Sequence, residues 1–482
     1  MFHIILSCVV AVIIATFSIL KFTCCKNSEK FSRITNRILK ISVVVYASLM
    51  ILSLLLPDAF KLCYSQEDLA RMDINTGYVI IRWLSIVNFI VLPIAVFYKN
   101  RTIRNIAIFY GVAITIASLF FYNEYMADFT SALGRGLNSI SVLSQGFKDF
   151  LLNHAFRSIW FGIILTLQLC IPIVLAINEK HMFNFKDKRE YLNFFLTLPF
   201  ISFCALPIYV PQFLFGYTNL IFEAFGIVHF GWLFLVICTL VALYYIFKNK
   251  DTDTKMVLLF VLSLSLVMQY TQMFSAISIN LYRLPLQLCN IGAFLILVSL
   301  ITRNKRIFNF TVIINVVGVI FAMAMPNLDG EGLFYLYNMH FIFEHTNVLI
   351  VPVLSLLFKI FPRLDKYALR DCLIGFTIYF VIVLLLGSWF NAIKVRTGND
   401  FYEANYMFML VPDEAVALLP FTQKLFDINF HIGNAVFYPV LQLIVYLVFV
   451  AVCVILFFVI QLIYKISDKF AKPMTTDTSQ IK

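Results

Sequence analysis

Charge is what this sequence has least of. Asp, Glu, Lys and Arg make up only 13% of its 482 residues, where an ordinary soluble domain carries about 25%. With 61% of the chain apolar and 52 Phe among those residues, too few charges remain to cover a water-soluble sphere. A polytopic membrane protein follows from that shortage before any residue is inspected. Glycine and proline are also scarce, at 17 and 14, which excludes fibrous and low-complexity chains. The ten cysteines have no CxxC spacing, so they read neither as a zinc site nor as a disulfide framework. The first apolar segment lacks a basic leading region, and no small-residue cleavage pattern precedes Cys24-Cys25. No cleavable signal is expected.

What is present in quantity is apolar runs of membrane length. An all-α, polytopic helical bundle of about thirteen transmembrane spans is expected, near 3–22, 41–57, 78–97, 104–122, 151–177, 191–210, 228–247, 256–275, 281–301, 307–326, 341–358, 372–390 and 437–464. Each covers a hydrocarbon core of about 30 Å as a helix. The ten-residue alternating segments of a closed β-barrel are missing.

The formal net charge of +11 would suit a nucleic-acid partner if it were concentrated on one exposed domain. It is not, and no nucleic acid is expected. Of the 37 Lys and Arg, 27 fall in the loops after odd-numbered spans and in the tail, and seven in the loops after even-numbered spans. By the positive-inside rule the N-terminus lies outside and the C-terminus in the cytoplasm. The plasma membrane is the expected location.

Spans 1–6 and 7–12 read as two copies of a six-helix unit, with span 13 extra. His3 opens span 1 as His229 opens span 7, Arg82 matches Arg283, Lys99-Asn100-Arg101 matches Asn304-Lys305-Arg306, and His154 matches His345. The expected division is 1–220 as an N-terminal membrane unit, 221–464 as a C-terminal unit bearing the site, and 465–482 as a cytoplasmic tail. An even number of spans makes the copies parallel.

Ionisable groups inside spans usually face protein or water and mark function. Here they share the outer side: Cys289 about eight residues into span 9, Glu344 and His345 about one turn into span 11, with Arg283 and His229 also outer. A thiol and an imidazole within reach form a nucleophile and its base. Arg283 would favour the thiolate or bind a lipid phosphate. Inert core cysteine and interhelical hydrogen bonding by histidine are the structural alternatives. His340, Glu344 and His345 form H-x-x-x-E-H, which is not a zinc-protease pattern. Neither a metal nor a cofactor is expected.

Four stretches carry a resemblance: Phe225-Gly226-Ile227-Val228-His229; Leu284-Pro285-Leu286-Gln287-Leu288-Cys289-Asn290; Pro326 followed by Phe343-Glu344-His345; and Asn405-Tyr406-Met407-Phe408. In order and spacing, residues 220–464 resemble the YwaF-like family of bacterial integral membrane proteins, relatives of the eukaryotic transmembrane protein 164 acyltransferases. The resemblance implies a membrane acyltransferase that moves a fatty acyl chain between glycerophospholipids without acyl-CoA. It implies Cys289 as nucleophile and His345 as base. Arg283, Asn290, Glu344, His229, Asn405 and Tyr406 are the expected substrate-binding residues. This chain departs from the family pattern L-P-L-H-L-C at Gln287, and reaches its Asn-Tyr motif through a longer insertion, 391–404. In the N-terminal copy Asn88 stands where Cys289 does, and an amide forms no thioester. Membrane phospholipids are the expected partners. A transporter or lipid flippase built from parallel repeats, and a lipid or ester hydrolase, are the competing readings. Loop 391–436, with Asp413, Glu414 and Asp427, is a candidate interfacial lid.

Overall fold

The computed structural model describes every residue except 26–27, 56–74, 99, 128–143, 180–185, 217, 219, 277–280, 282–283, 325, 327–330, 413–415, 417–419 and 471–482. In chain order the helices are α1 (Phe2–Ile19), α2 (Glu29–Leu55), α3 (Thr76–Phe97), α4 (Arg101–Leu119), α5 (Gln145–Leu152), α6 (His154–Glu179), α7 (Lys188–Cys204) and α8 (Val210–Phe215). They continue as α9 (Ile227–Phe247), α10 (Thr252–Ala276), α11 (Leu288–Thr302), α12 (Lys305–Ala324), α13 (Leu336–Leu357), α14 (Lys366–Thr397) and α15 (Pro439–Phe470). A short antiparallel hairpin, β1 (Phe430–Ile432) and β2 (Ala435–Phe437), precedes α15.

The all-α class stands, and 11 helices among the described residues are long and apolar enough to cross a membrane. The count of thirteen is not confirmed among the described residues. Spans 191–210 and 281–301 are instead shorter helices, α7 with 17 residues and α11 with 15. Proline explains both. Pro207 lies in the break that separates α7 from α8, and Pro211 sits in the first turn of α8, where proline is tolerated. Pro285 holds its preceding residue out of helical conformation, so α11 starts only at Leu288.

The chain divides into two compact units. The first comprises Met1–Leu284 and Ala322–Ile360. At its centre is α10, which has an 18-residue stretch entirely buried and packs against α13, α2, α3 and α7. A helix enclosed on all sides can carry polar residues only if each finds a partner. In α10 Ser263 and Thr271 donate to the carbonyls of Leu259 and Val267 one turn earlier, at 2.7 Å each. Ser265 and Gln269 both donate to the carbonyl of Cys204, and Gln272 Oε1 accepts from the Ile208 N–H at 3.1 Å. Those are the backbone groups freed where α7 breaks. Irregular backbone within a membrane protein persists where protein groups satisfy it in this way.

Around this centre, α2 buries the stripe Thr35, Leu39, Val43, Tyr46, Met50 and Leu54, whose spacing of three or four keeps it on one helical face. A buried polar chain joins four helices. Asn88 Nδ2 lies 3.2 Å from Thr115 Oγ1, Thr115 lies 3.3 Å from Gln168 Oε1, and Gln168 Nε2 donates to Tyr46 Oη at 2.9 Å. Where α1 ends and α6 ends, Lys21 bonds Ser32 and Asn178, Arg104 pairs with Glu179, and Arg101 pairs with Glu190.

The second unit comprises Pro285–Phe321 and Phe361–Lys482. In it α14 packs on α15, with Phe376 stacked on Tyr446 at 5.6 Å between ring centroids. The helix α14 outruns the expected span 372–390 and reaches Thr397, stopping at Gly398 in the left-handed conformation (φ +64°), the usual helix terminator. The outer faces of α9 and α15 remain exposed and apolar, with Phe234, Leu235, Leu443 and Phe458 among them. That suits lipid contact.

Two capping carboxylates outside the spans make stability depend on pH. Asp251 accepts from the Thr254 N–H at 2.8 Å and from its hydroxyl at 2.7 Å, which holds its carboxyl below the usual carboxylate value. The Lys305 ammonium, 2.9 Å from Asp365, does the same for that residue, helped by the Ala368 and Tyr367 N–H groups. Both folded values lie below the unfolded value of about 3.9. Their stabilisation is therefore complete above that value and is lost as pH falls through the folded ones. Asp251→Asn and Asp365→Asn should each flatten the acid limb of thermal stability measured in detergent below about pH 4.

Candidate functional site

In the first unit, α13 displays the polar residues. Leu336 starts the helix, five residues before the expected boundary. Glu344 and His345 thus lie about 12 Å along it at 1.5 Å per residue, two turns rather than one. The i, i+4 spacing places His340 Nε2 3.0 Å from Glu344 Oε2. All three side chains are buried, Glu344 to 2% exposure. Among the described residues, Glu344 Oε1 and His340 Nδ1 are buried without a hydrogen-bond partner.

The backbone assigns the tautomer of each of two histidines. His345 Nδ1 lies 2.8 Å from the Phe341 carbonyl oxygen. A carbonyl only accepts, so Nδ1 carries the hydrogen and Nε2 the lone pair. The ring rests on Phe341, with centroids 4.1 Å apart. His229, in the first turn of α9, is arranged the opposite way. Its Nδ1 accepts from the Phe225 N–H at 3.0 Å, and its Nε2 donates to the Met323 carbonyl at 2.7 Å. Both nitrogens of His229 are spent on bracing. They hold Phe225 in the left-handed region (φ +63°), which a residue with a Cβ adopts only under such restraint. Trp232 Nε1 donates to Thr346 Oγ1 at 3.0 Å, tying α9 to α13. His154, expected from the sequence to match His345, is exposed beside Ser158.

In the second unit, Cys289 stands in the first turn of α11, not eight residues into a helix, because Pro285 delays the helix start. It is half-buried, and its Sγ lies 3.2 Å from Asn290 Oδ1. The position where the resembled pattern has histidine is a brace. Gln287 Nε2 donates to the Asn405 carbonyl at 3.2 Å, and Gln287 Oε1 accepts from the Met407 N–H at 3.1 Å. Asn405 Oδ1 accepts from the N–H groups of Leu410 and Val411, and Met407 and Phe408 are left-handed. Tyr406 is fully buried. The cysteine motif and the Asn-Tyr motif are thus one construction.

Two glycines permit it. A Cβ on Gly292 would lie 2.0 Å from Asn315 Nδ2, and one on Gly387 would lie 2.2 Å from Leu410 Cδ1 and 3.3 Å from Tyr406. Two further braces were not read from the sequence. Tyr379 Oη donates to the Leu286 carbonyl at 2.6 Å, and Asn391 exchanges two hydrogen bonds of 2.9 Å with Ala404. No local pattern marks Tyr379, whose partner is 93 residues away. Arg283, and Asp413 and Glu414 of the candidate lid, lie outside the described residues.

An all-α chain with eleven apolar helices of membrane length among its described residues is a multi-pass membrane protein. Residues 224–460, just under half of the chain, match the model of the TMEM164 family. That stretch is where residues 220–464 resemble relatives of transmembrane protein 164, and it contains His229, Cys289, Glu344, His345, Asn405 and Tyr406. Comparison with curated proteins and with solved structures found no match.

Gln287→Leu keeps the bulk of the side chain but leaves the Asn405 carbonyl and the Met407 N–H without this partner. It should destabilise the protein by about 1–3 kcal/mol, the usual cost of orphaned buried polar groups, read as a lowered midpoint of thermal unfolding in detergent.

Proposed function

We propose that this protein is a membrane-embedded acyltransferase that moves a fatty acyl chain between glycerophospholipids through a thioester on Cys289, with His345 as base. The observation that carries the reading is the tautomer of His345, whose Nδ1–H is held by the Phe341 carbonyl so that Nε2 presents the lone pair. The match of residues 224–460 to the TMEM164 family supports it. So does the position of Cys289 in the first turn of a 15-residue helix, where the positive helix end stabilises a thiolate.

In this mechanism His345 Nε2 takes the thiol proton, and the sulfur attacks the carbonyl carbon of a phospholipid ester. The tetrahedral intermediate collapses with cleavage of the carbon–oxygen bond, and the proton on His345 passes to the departing lysophospholipid alkoxide. The hydroxyl of a second lysophospholipid, deprotonated by His345, then attacks the thioester and releases the cysteine, which recovers the proton. Water in place of that hydroxyl would make the protein a lipid hydrolase. Asn290 positions the sulfur, and the His340–Glu344 pair lies on the same helix as the base.

The bias of basic residues supports a plasma-membrane topology with the N-terminus outside, the C-terminus inside and the site in the outer leaflet. A membrane lipid is then the accessible acyl donor, since acyl-CoA is cytosolic. The N-terminal half is read as a degenerate copy, in which Asn88 Nδ2 donates to the Gly111 carbonyl and to Thr115 Oγ1. A lipid transporter is the second reading, favoured by the interruption between α7 and α8, since broken helices form transporter sites.

The test supplies purified protein with a phospholipid and an isotope-labelled lysophospholipid, and follows acyl exchange by mass spectrometry. Cys289→Ala should abolish both exchange and a hydroxylamine-labile acyl group on the protein. His345→Gln should slow exchange by about 10²–10⁴-fold, the usual contribution of a general base. Unchanged exchange in Cys289→Ala would end the thioester mechanism. Movement of a labelled lipid across the bilayer without covalent change would favour transport.

A further inference from the structure

The acyl-transfer reading uses one cysteine of the ten in the chain. Two others meet within the second unit. Cys372, in the second turn of α14, and Cys453, near the middle of α15, are both fully buried and both free, and their thiols are hydrogen-bonded to each other. The contact belongs to an antiparallel seam. Just before α14, the Leu364 carbonyl accepts from Gln461 Nε2 at 2.6 Å, and one turn after Cys372, Phe376 stacks on Phe449 with ring centroids 5.7 Å apart. Leu364, Cys372 and Phe376 are spaced by eight residues and then four, and Gln461, Cys453 and Phe449 by the same intervals in reverse. The hydroxyls of Thr377 and Tyr446, 2.8 Å apart, extend the seam one way, and Arg363 on Asp468 at 2.8 Å extends it the other.

A single cysteine buried among apolar groups is usually inert packing. A second thiol in hydrogen-bond contact supplies what the single one lacks, a resolving sulfur that captures the first oxidation product before it goes further. The seam keeps the two helices in register, which meets the demand of a disulfide for cysteines that already face each other. The surroundings do not oppose the product. From Pro439 to Tyr464, α15 has no charged residue, and a dithiol and a disulfide are both neutral, so their interconversion buries no charge. Access comes from the lipid side. Only 11% of the most apolar stretch of α15 is buried, so the sulfurs lie beneath a helix whose other faces suit lipid, the phase in which an organic hydroperoxide dissolves.

We propose that Cys372 and Cys453 form a reversible disulfide that staples α14 to α15 when an organic hydroperoxide enters the surrounding lipid. One sulfur attacks the terminal oxygen of the hydroperoxide. The O–O bond breaks, leaving a sulfenic acid on the protein, and the thiol proton goes to the departing alkoxide to give the alcohol. The other sulfur then attacks the sulfenic sulfur. The S–O bond breaks, the hydroxide takes the second thiol proton and leaves as water, and the S–S bond forms. Two thiols are oxidised and one hydroperoxide is reduced. The proposal does not depend on the acyl-transfer reading, because neither cysteine belongs to that site and the disulfide is measured without turnover.

Purified full-length protein in phosphatidylcholine vesicles is treated with cumene hydroperoxide, denatured in N-ethylmaleimide, digested and analysed by mass spectrometry. Cys372 and Cys453 should lose alkylation in equal amounts and appear as one linked peptide pair, two hydrogens lighter than the reduced peptides and released by dithiothreitol. Cys170 and Cys204, buried on α6 and α7, are the controls for burial and should stay alkylated at the dose that converts half of the pair. Cys372→Ala should abolish the reversible link, leaving Cys453 as a free thiol or as a sulfenic acid trapped by dimedone. Cys453→Ala should do the same to Cys372, and decides the matter if the first variant does not fold. Persistent alkylation of Cys372 and Cys453, a link from either to Cys289 or another cysteine in their place, or oxidation of the pair no faster than that of Cys170 and Cys204 would overturn the proposal.

Discussion

The backbone freed at the end of α7 is the constraint that the first unit is built around. A helix broken by proline within a membrane protein leaves a carbonyl and an N–H that lipid cannot satisfy. Ser265, Gln269 and Gln272, spaced so that they share one face of α10, take up the Cys204 carbonyl and the Ile208 N–H. They can do so because α10 is enclosed, and α10 is enclosed because α2, α3, α7 and α13 pack around it. The polar residues of α13 depend on the same packing. His340, Glu344 and His345 stay buried on a helix held against that centre.

Residues that look alike in sequence differ in how much of their hydrogen-bonding capacity goes into bracing the backbone. His229 and His345 are both buried intramembrane histidines, yet one uses both ring nitrogens on the backbone and the other uses only Nδ1 in this way. Gln287 and Asn405 sit in motifs of the kind that invites a ligand assignment, and both spend their amides holding 405–411 in an irregular path. A motif of this kind is thus accounted for in large part by the backbone path that its side chains hold. Cys289 depends on this framework, since the residues just before α11 are those that Gln287 and Tyr379 fasten.

The all-α membrane architecture was legible from composition and from the length of the apolar runs, because lipid allows few ways of satisfying the backbone. The pairing of His340 with Glu344 was legible from their i, i+4 spacing. Helix limits were not. Leu336–Tyr337–Asn338 do not look like lipid-facing helix, yet α13 starts there, and Asn338 is satisfied by the carbonyls of Glu331 and Gly332. Pro285 signals the shortening of span 281–301, although the run around it is apolar over membrane length.

By itself, the sequence determined the class of protein, the approximate number of spans and the few ionisable residues in need of a reason within the membrane. Scarce charge and long apolar runs are properties of single segments, so they survive without knowledge of neighbours. Tertiary structure alone decided which polar groups are committed to bracing the backbone and which are not. That distinction depends on where each donor and acceptor finds its partner, and for Gln287 the partner lies 118 residues along the chain. The opening shortage of charge thus names the candidates, while the hydrogen-bond accounting of the folded chain sorts them.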